Sequence, residues 1–501
     1  MRLFTAVTAL CGLLLPSSVV CADERVAAIS EFNPPQVFKN TNLVRHTNLE
    51  KGYVRETVNV VVENVGKQPQ SDYYLPFSSD VFDKVGSLEV RDKKAVEKGR
   101  FNVEAVELDF RSDLEYFVIH FPEPLAPKSQ ITLGISYTLL NSLNPRPATI
   151  EQSDRQFLSY SFSGFTISAY PTVTQKTKLK FPSTKVPDFT VTEGLKTSSG
   201  SDPERQGATF TYGPYDTSKV APGTTYPITV RYEFTNPIIT ASLLERDLEV
   251  SHWGGNLATE ERYWLRNNGS ELTSQFSRVE WTISSYQNLP SSALRELKYP
   301  LKAGSVDPYF IDDVGNVSTS RYRPGKPNRD AHLELRFRYP IFGGWNYSFR
   351  IGWNNDLASF LRRAVTGADS YVLKVPFIEG PKAPEGAQYE NVVVRLILPE
   401  GSRNVKYELV EGSASNGLPG PNQIRSHLSD YKTYMDTLGR TVLTLEAENL
   451  SDEARDSQLV VTYDYTLLDG LRKPFTITAG LLAVFAAAWF IGNIDVSIRK
   501  R

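Results

Sequence analysis

Apolar and polar residues alternate along most of this chain. Tyr226, Ile228, Val230, Tyr232 and Phe234 enclose Thr229, Arg231 and Glu233, and the same period runs through Ile131, Leu133, Ile135, Tyr137 and Leu139 and through Leu333, Leu335, Phe337 and Tyr339. Successive side chains of a strand point to opposite faces, so each run reads as a strand with one buried and one wet face, and antiparallel sheets follow. Helical periodicity is scarce. Ser292 to Leu297 and Leu357 to Val365, the second closed by Gly367, are expected as short helices.

The two ends abandon the alternation altogether. Arg2, the apolar run Leu3 to Leu15 and the small residues around Val20-Cys21-Ala22 make a secretory signal peptide of residues 1–22, with Asp23 as the first mature residue. Phe475 to Ile494 carries no charge, and about 20 helical residues at ~1.5 Å each span the ~30 Å hydrocarbon core. Residues 474–494 are therefore expected to be a transmembrane helix and 495–501 a short cytosolic tail bearing Arg499, Lys500 and Arg501. Ala479, Ala483 and Ala487 recur every four residues and make a candidate seam for a partner helix. The topology that follows is single-pass type I, with the bulk of the chain in the lumen.

The stretch between these ends exceeds what one hydrophobic core usually serves. Its two halves echo each other. Leu179 to Gly194 reads strand, Pro182, loop, then Phe189-Thr190-Val191, and Leu396 to Gly412 repeats this with Pro399 and Tyr407-Glu408-Leu409. A long strand then leads out of each half, Ile228 to Phe234 and Leu459 to Tyr465. The openings match as well, His46 preceding Asn64-Val65-Gly66 as His252 precedes Asn267-Asn268-Gly269. The expected fold is mainly β: two tandem related β-sandwich-like lumenal domains, 23–237 and 238–470, with a few short helices and one C-terminal transmembrane helix.

Composition narrows the function. Both cysteines, Cys11 and Cys21, fall inside the signal peptide, so neither a disulfide framework nor thiol catalysis is expected of the mature chain. The 55 basic and 57 acidic residues are interspersed, which gives no nucleic-acid footprint. No catalytic residues, cofactor site or metal site are expected: the five histidines lack ligand spacing, and no nucleophile elbow or phosphate loop occurs. Asp312 and Asp313 are adjacent carboxylates, but neighbours on extended chain face opposite ways, so a solvated loop is favoured over an ion site. His252-Trp253-Gly254-Gly255 and Phe342-Gly343-Gly344-Trp345 offer aromatic faces beside tight turns, more readily core than sugar platform. Asn-x-Ser/Thr sequons stand at Asn316, Asn268, Asn449 and Asn346, with Asn316 the first choice for a glycan.

Five ordered stretches together resemble the ribophorin I family, subunit 1 of the eukaryotic oligosaccharyltransferase complex, over the full length. They are Val250 to Gly254, Asp312 to Ser320, Tyr339 to Trp345, Leu398 to Gly401 and Tyr434 to Arg440. The resemblance implies an endoplasmic reticulum membrane glycoprotein that is not itself the catalyst of asparagine-linked glycosylation. Transfer of the dolichol-linked oligosaccharide would belong to a multi-spanning catalytic subunit. Other oligosaccharyltransferase subunits, nascent polypeptide and the translocation channel are the remaining partners implied. The short tail resembles fungal members. An autonomous lumenal chaperone or cargo receptor is the alternative reading.

Overall fold

The computed structural model describes residues 32–494 apart from 96, 98, 107–112, 193, 197–199, 222, 327–328, 366–368, 411–423, 433–435 and 437–438. The signal peptide, the tail and Gly367 lie outside the described residues. Two hydrophobic cores divide the rest, one running from Phe38 to Ile238 and the other from Ile239 to Tyr465.

The first unit is built on seven strands: β1 (Phe38–Asn48), β2 (Val54–Asn64), β3 (Val85–Asp92), β4 (Gln130–Leu139), β5 (Gln175–Lys180), β6 (Glu204–Gln206) and β7 (Thr209–Tyr215). Their spatial order is β6-β7-β5-β1-β2-β4-β3. The second unit uses β8 (Ile239–Ser251), β9 (Asn256–Asn267), β10 (Val306–Asp312), β11 (Asn346–Asp356), β12 (Ala387–Ile397), β13 (Ile424–Tyr431) and β14 (Arg440–Ser451). Their order is β13-β14-β12-β8-β9-β11-β10, with Gly315–Asn316 added at the edge. The two orders are the same order. In each, the opening hairpin is antiparallel and its first strand pairs in parallel with the fifth, β1 with β5 and β8 with β12.

A second layer covers each sheet and repeats in the same way. In the first unit it comprises a three-stranded sheet around Leu114–Leu125 and a four-stranded sheet in which Phe157–Ser163 pairs with the exit strand Pro227–Glu233. In the second, Ala331–Ile341 and the pair Ser370–Pro376 with Gln458–Asp464 take those places. Alternating burial along the strands, strict from end to end of β2, turns one face of each layer inward, which is how period-two sequence becomes a sandwich core.

The repeat holds residue by residue. Both opening strands carry a bulge at one place, Thr41 between Asn40 and Asn42 and Ser242 between Ala241 and Leu243. Counting from it, Arg45 matches Arg246, Leu179 matches Leu396, and Asn64 matches Asn267. The matched asparagines perform one task. Asn64 Nδ2 donates to the carbonyls of Gln68 (2.9 Å) and Leu125 (2.7 Å) while its Oδ1 accepts from Gly66 N (2.8 Å). Asn267 does the same with Ser292 (2.8 Å), Ile341 (2.9 Å) and Gly269 N (3.0 Å). Each clamps the entry of one outer strand to the end of its neighbour, satisfying buried backbone groups no ladder reaches. The histidine correspondence fails: His46 lies on β1 opposite Thr57, whereas His252 lies in the β8–β9 turn.

Both short-helix expectations are also corrected. Leu294–Leu301 is a strand, because pairing with Ala331–Ile341 and burial of Leu294, Leu297, Tyr299 and Leu301 override local helical spacing. Leu357–Ser359 is a single 3-10 turn capped by Asp356, followed by strand Leu361–Arg363. A helix not expected from the sequence, Arg278–Tyr286, starts where the Ser277 side chain accepts from Glu280 N.

The units meet over an extensive polar seam. Lys51 and Tyr53 reach Asp452 (2.9 and 2.6 Å), Arg55 reaches Glu453 (2.8 Å), and Thr149–Ile150 pairs in parallel with Glu271–Leu272.

Candidate functional site at the root of the membrane helix

The apolar C-terminal segment is one helix, Leu467–Gly492, with mean hydropathy 2.0 over its best window. It starts earlier than hydropathy suggested. Thr466 and Asp469 form a capping box, which supplies the first turn with acceptors and a favourable negative charge at the helix start. The first two turns are therefore seated on the second unit, and the run from Phe475 onward is bare. Ala479, Ala483 and Ala487 all lie on that bare stretch, exposed in the single chain.

Pro474 marks the change. It has no N–H, so the carbonyl of Gly470 loses its helical donor. Trp253 Nε1 donates to that carbonyl at 2.5 Å instead. The tryptophan thus completes the helix from outside and fixes its exit from the second unit, although 68% of the residue is exposed.

Three of the five sequence stretches singled out above converge here. Val250 to Trp253, Pro399 with Glu400, and Arg440 line a cleft of about 510 Å³ with Tyr465, Lys473 and Ile477. Asp469 is 6% exposed and accepts from Arg403 (3.3 Å) and Arg472 (3.1 Å). Lys473 pairs with Asp436. Gly401, at φ +95°, allows this approach, since a Cβ there would stand 2.8 Å from Asp469 Oδ1. His252 Nε2 lies 2.7 Å from Tyr463 OH, and its ring meets Tyr371 and Tyr465 at 4.9 and 4.6 Å. Burial holds the His252 pKa below its ordinary value. These contacts seat the first turns of the helix on the second unit.

The other two stretches fold into the second unit's edge. Asp312, 8% exposed, accepts from Tyr347 OH (2.7 Å) and the amides of Val314 and Gly315 (3.0 Å each) and pairs with Arg338. Its carboxyl is consumed in shaping the turn. Trp345 packs on Phe342 and Phe276 at 5.7 and 6.0 Å, and Gly343 sits where a Cβ would meet the Ser270 carbonyl at 2.1 Å. Among the described residues, no group of three His, Cys, Asp or Glu could hold a metal ion.

The sequons divide into two kinds. Asn316 and Asn346 are exposed on strand ends of the second unit. Asn268 and Asn449 are built into the seam: Asn268 Nδ2 donates to Asn141 Oδ1 (3.1 Å) and Thr240 Oγ1 (3.0 Å), and Asn449 Nδ2 to the Asp83 carbonyl (2.7 Å). Their hydroxyl partners Ser270 and Ser451 are fully buried.

Comparison with known proteins agrees with the resemblance that these stretches carry. A family model described as Ribophorin I matches residues 38–492. Subunit 1 of the dolichyl-diphosphooligosaccharide–protein glycosyltransferase of Schizosaccharomyces pombe is 30% identical over 457 residues, 91% of this chain and 95% of that protein. Subunit 1B of Arabidopsis thaliana is 29% identical over 95% of this chain and 97% of its own length, and subunit 1 of Caenorhabditis elegans 28% over 94% and 75%. Matched from its first described strand to the end of its membrane helix, the chain belongs to the ribophorin I family.

Proposed function

We propose that the chain is a non-catalytic accessory subunit of an oligosaccharyltransferase complex in the endoplasmic reticulum membrane. It supports transfer of a preassembled dolichol-linked oligosaccharide to Asn of Asn-x-Ser/Thr in nascent polypeptides. The observation that carries this reading is the end-to-end match to subunit 1 proteins, together with a helix root made of packing and capping contacts. In this reading residues 1–22 are cleaved, 23–237 and 238–470 are the two lumenal domains, and 495–501 face the cytosol. Partner helices, the multi-spanning catalytic subunit's among them, pack along Ala479, Ala483 and Ala487, where small side chains permit close approach.

The mechanism is positional. A stiff two-unit body fixed to one helix holds acceptor polypeptide near the transferase and raises its effective concentration without making bonds itself. Asn316 carries the glycan, Asn346 is the second exposed candidate, and Asn268 and Asn449 stay bare because their amide nitrogens close the seam. Depleting the chain from cells should leave reporter sequons under-occupied, and mild-detergent extraction should recover it in fixed ratio with multi-spanning companions. Full occupancy of every reporter after depletion, or recovery of the chain alone, contradicts the reading.

A further inference from the structure

The first unit encloses a cavity of about 480 Å³ over the inner face of β1, β2 and β4. It is lined by the strand Gln70–Ser78, at the end of its sheet, and by Phe157–Ser163, whose second edge is paired at Phe157, Leu158 and Ser159. Arg45 reaches into it, 6% exposed. Its Nη2 donates to the Ser163 carbonyl, its guanidinium lies 5.3 Å from the centre of the Phe162 ring, and its Nε is buried with no hydrogen-bond partner. Glu56 shares the cavity but is already engaged, accepting from Thr47 Oγ1 (2.9 Å), Tyr137 OH (2.6 Å) and Tyr160 OH (3.2 Å).

The second unit shows what is missing. Its matching arginine, Arg246, pairs with Glu261 and, at 3.0 Å, with Glu379, and lies 5.9 Å from the ring centre of Trp353, which stands at the strand position of Tyr137 in the first unit. Glu379 stands four residues past Val375, which pairs with Leu459 on the exit strand. In the first unit Phe162 pairs with Ile228, the residue matching Leu459, and four residues past Phe162 stands Thr166. Thr166 lines the cavity, and its Oγ1 is buried with no partner. Where one unit supplies a carboxylate, the other leaves an unpartnered guanidinium N–H and an unpartnered hydroxyl lining the same cavity.

We propose that this cavity binds a carboxylate carried on an extended peptide, received by Arg45 and Thr166 where Glu379 serves in the second unit. Two strand edges line the cavity, and the stretch 161–163 lies beyond the paired part of the second; such edges suit an extended backbone, which pairs with an edge while its side chain enters the pocket. An anion completes the charge-assisted bonds that burial otherwise leaves unmade. A small organic acid presents the same carboxylate without the backbone, so the test separates the two sources.

The full chain, purified in mild detergent, is titrated with a fluorescein-labelled pentapeptide bearing a central Asp and with its Asn counterpart, read by anisotropy. The Asp peptide is expected to bind at least about tenfold more tightly, the scale of one charge-assisted hydrogen bond. Thr166→Glu supplies an internal counterion and should abolish the preference while raising the thermal midpoint. Thr166→Val, which keeps size and fold, should weaken the Asp peptide several-fold. Equal affinity for both peptides, or unchanged binding by both variants, overturns the proposal, and glutarate competing as strongly as the peptide overturns its peptide part. Binding is read directly, so failure here leaves the subunit reading standing.

Discussion

The two units place an arginine at one point of one hairpin and surround it differently. Arg246 is sealed by two carboxylates beneath Trp353, whereas Arg45 has a backbone carbonyl, an aromatic face and open space. What both units keep is what the backbone demands: the bulge, the strand order and the asparagine clamp. What differs is who neutralises a buried charge. We read this as a division of labour, with the second unit closed around its core and seated on the membrane helix, and the first left able to accept a partner.

The sharpest way to break the comparison is one substitution made twice. Arg246→Met leaves Glu261 and Glu379 facing each other in a fully buried site, where burial already pushes the Glu379 carboxyl up against the pull of Arg246. A loss of about 3–5 kcal/mol in denaturant unfolding is expected, as for other broken buried pairs. Arg45→Met, which deletes one charge-assisted bond to a carbonyl and one cation–aromatic contact but breaks no ion pair, should cost less, about 1.5–3 kcal/mol. Equal costs would mean the two sites are not different in kind.

The matched clamps should behave alike. Asn64→Ala orphans two carbonyls and the amide of Gly66, Asn267→Ala two carbonyls and the amides of Ile238 and Gly269, and each should cost about 2–3 kcal/mol by chemical denaturation. Unequal losses of more than a factor of two would show that the repeat is geometric only. At the helix root, Trp253→Phe keeps the ring but deletes the donor to Gly470, with an expected cost of about 1 kcal/mol and a larger tilt range for the helix by site-directed spin labelling.

The strands and their repeat were legible in the sequence, because alternation, Asn-x-Gly and Leu-x-x-Pro are set by the backbone positions they occupy. Segment 292–297 was misread because strand pairing to Ala331–Ile341 is invisible locally. The Arg278–Tyr286 helix had a signal, Ser277 three residues ahead of Glu280, that could have found it. The helix root was only partly legible: its stretches stood out one by one, but Trp253 meeting Gly470 crosses more than two hundred residues. Thr166 against Glu379 could not be seen, since the loops that hold them share no pattern and only strand register aligns them.

A smaller effect follows from pH. The folded chain keeps His252 neutral with a pKa below 6.5, while the unfolded chain takes up a proton near that value, so proton uptake favours unfolding. The stabilisation is whole above pH ~6.5 and is lost as pH falls from there through the folded value. Thermal midpoints measured from pH 7.5 downward should drop less steeply for His252→Gln than for the parent chain. Smallest in stability is Asn316→Gln, expected to remove one glycan by gel mobility and leave the midpoint within about 1 °C. Asn268→Gln should leave mobility unchanged.

The division of labour is tested most directly in cells whose only copy of the chain carries Thr166→Glu, by measuring co-purifying companions and reporter sequon occupancy together. Companions recovered in the parental ratio, with reduced occupancy at sequons in acidic sequence, is the result predicted. Parental occupancy at every such sequon, or loss of the companions along with it, would contradict the account.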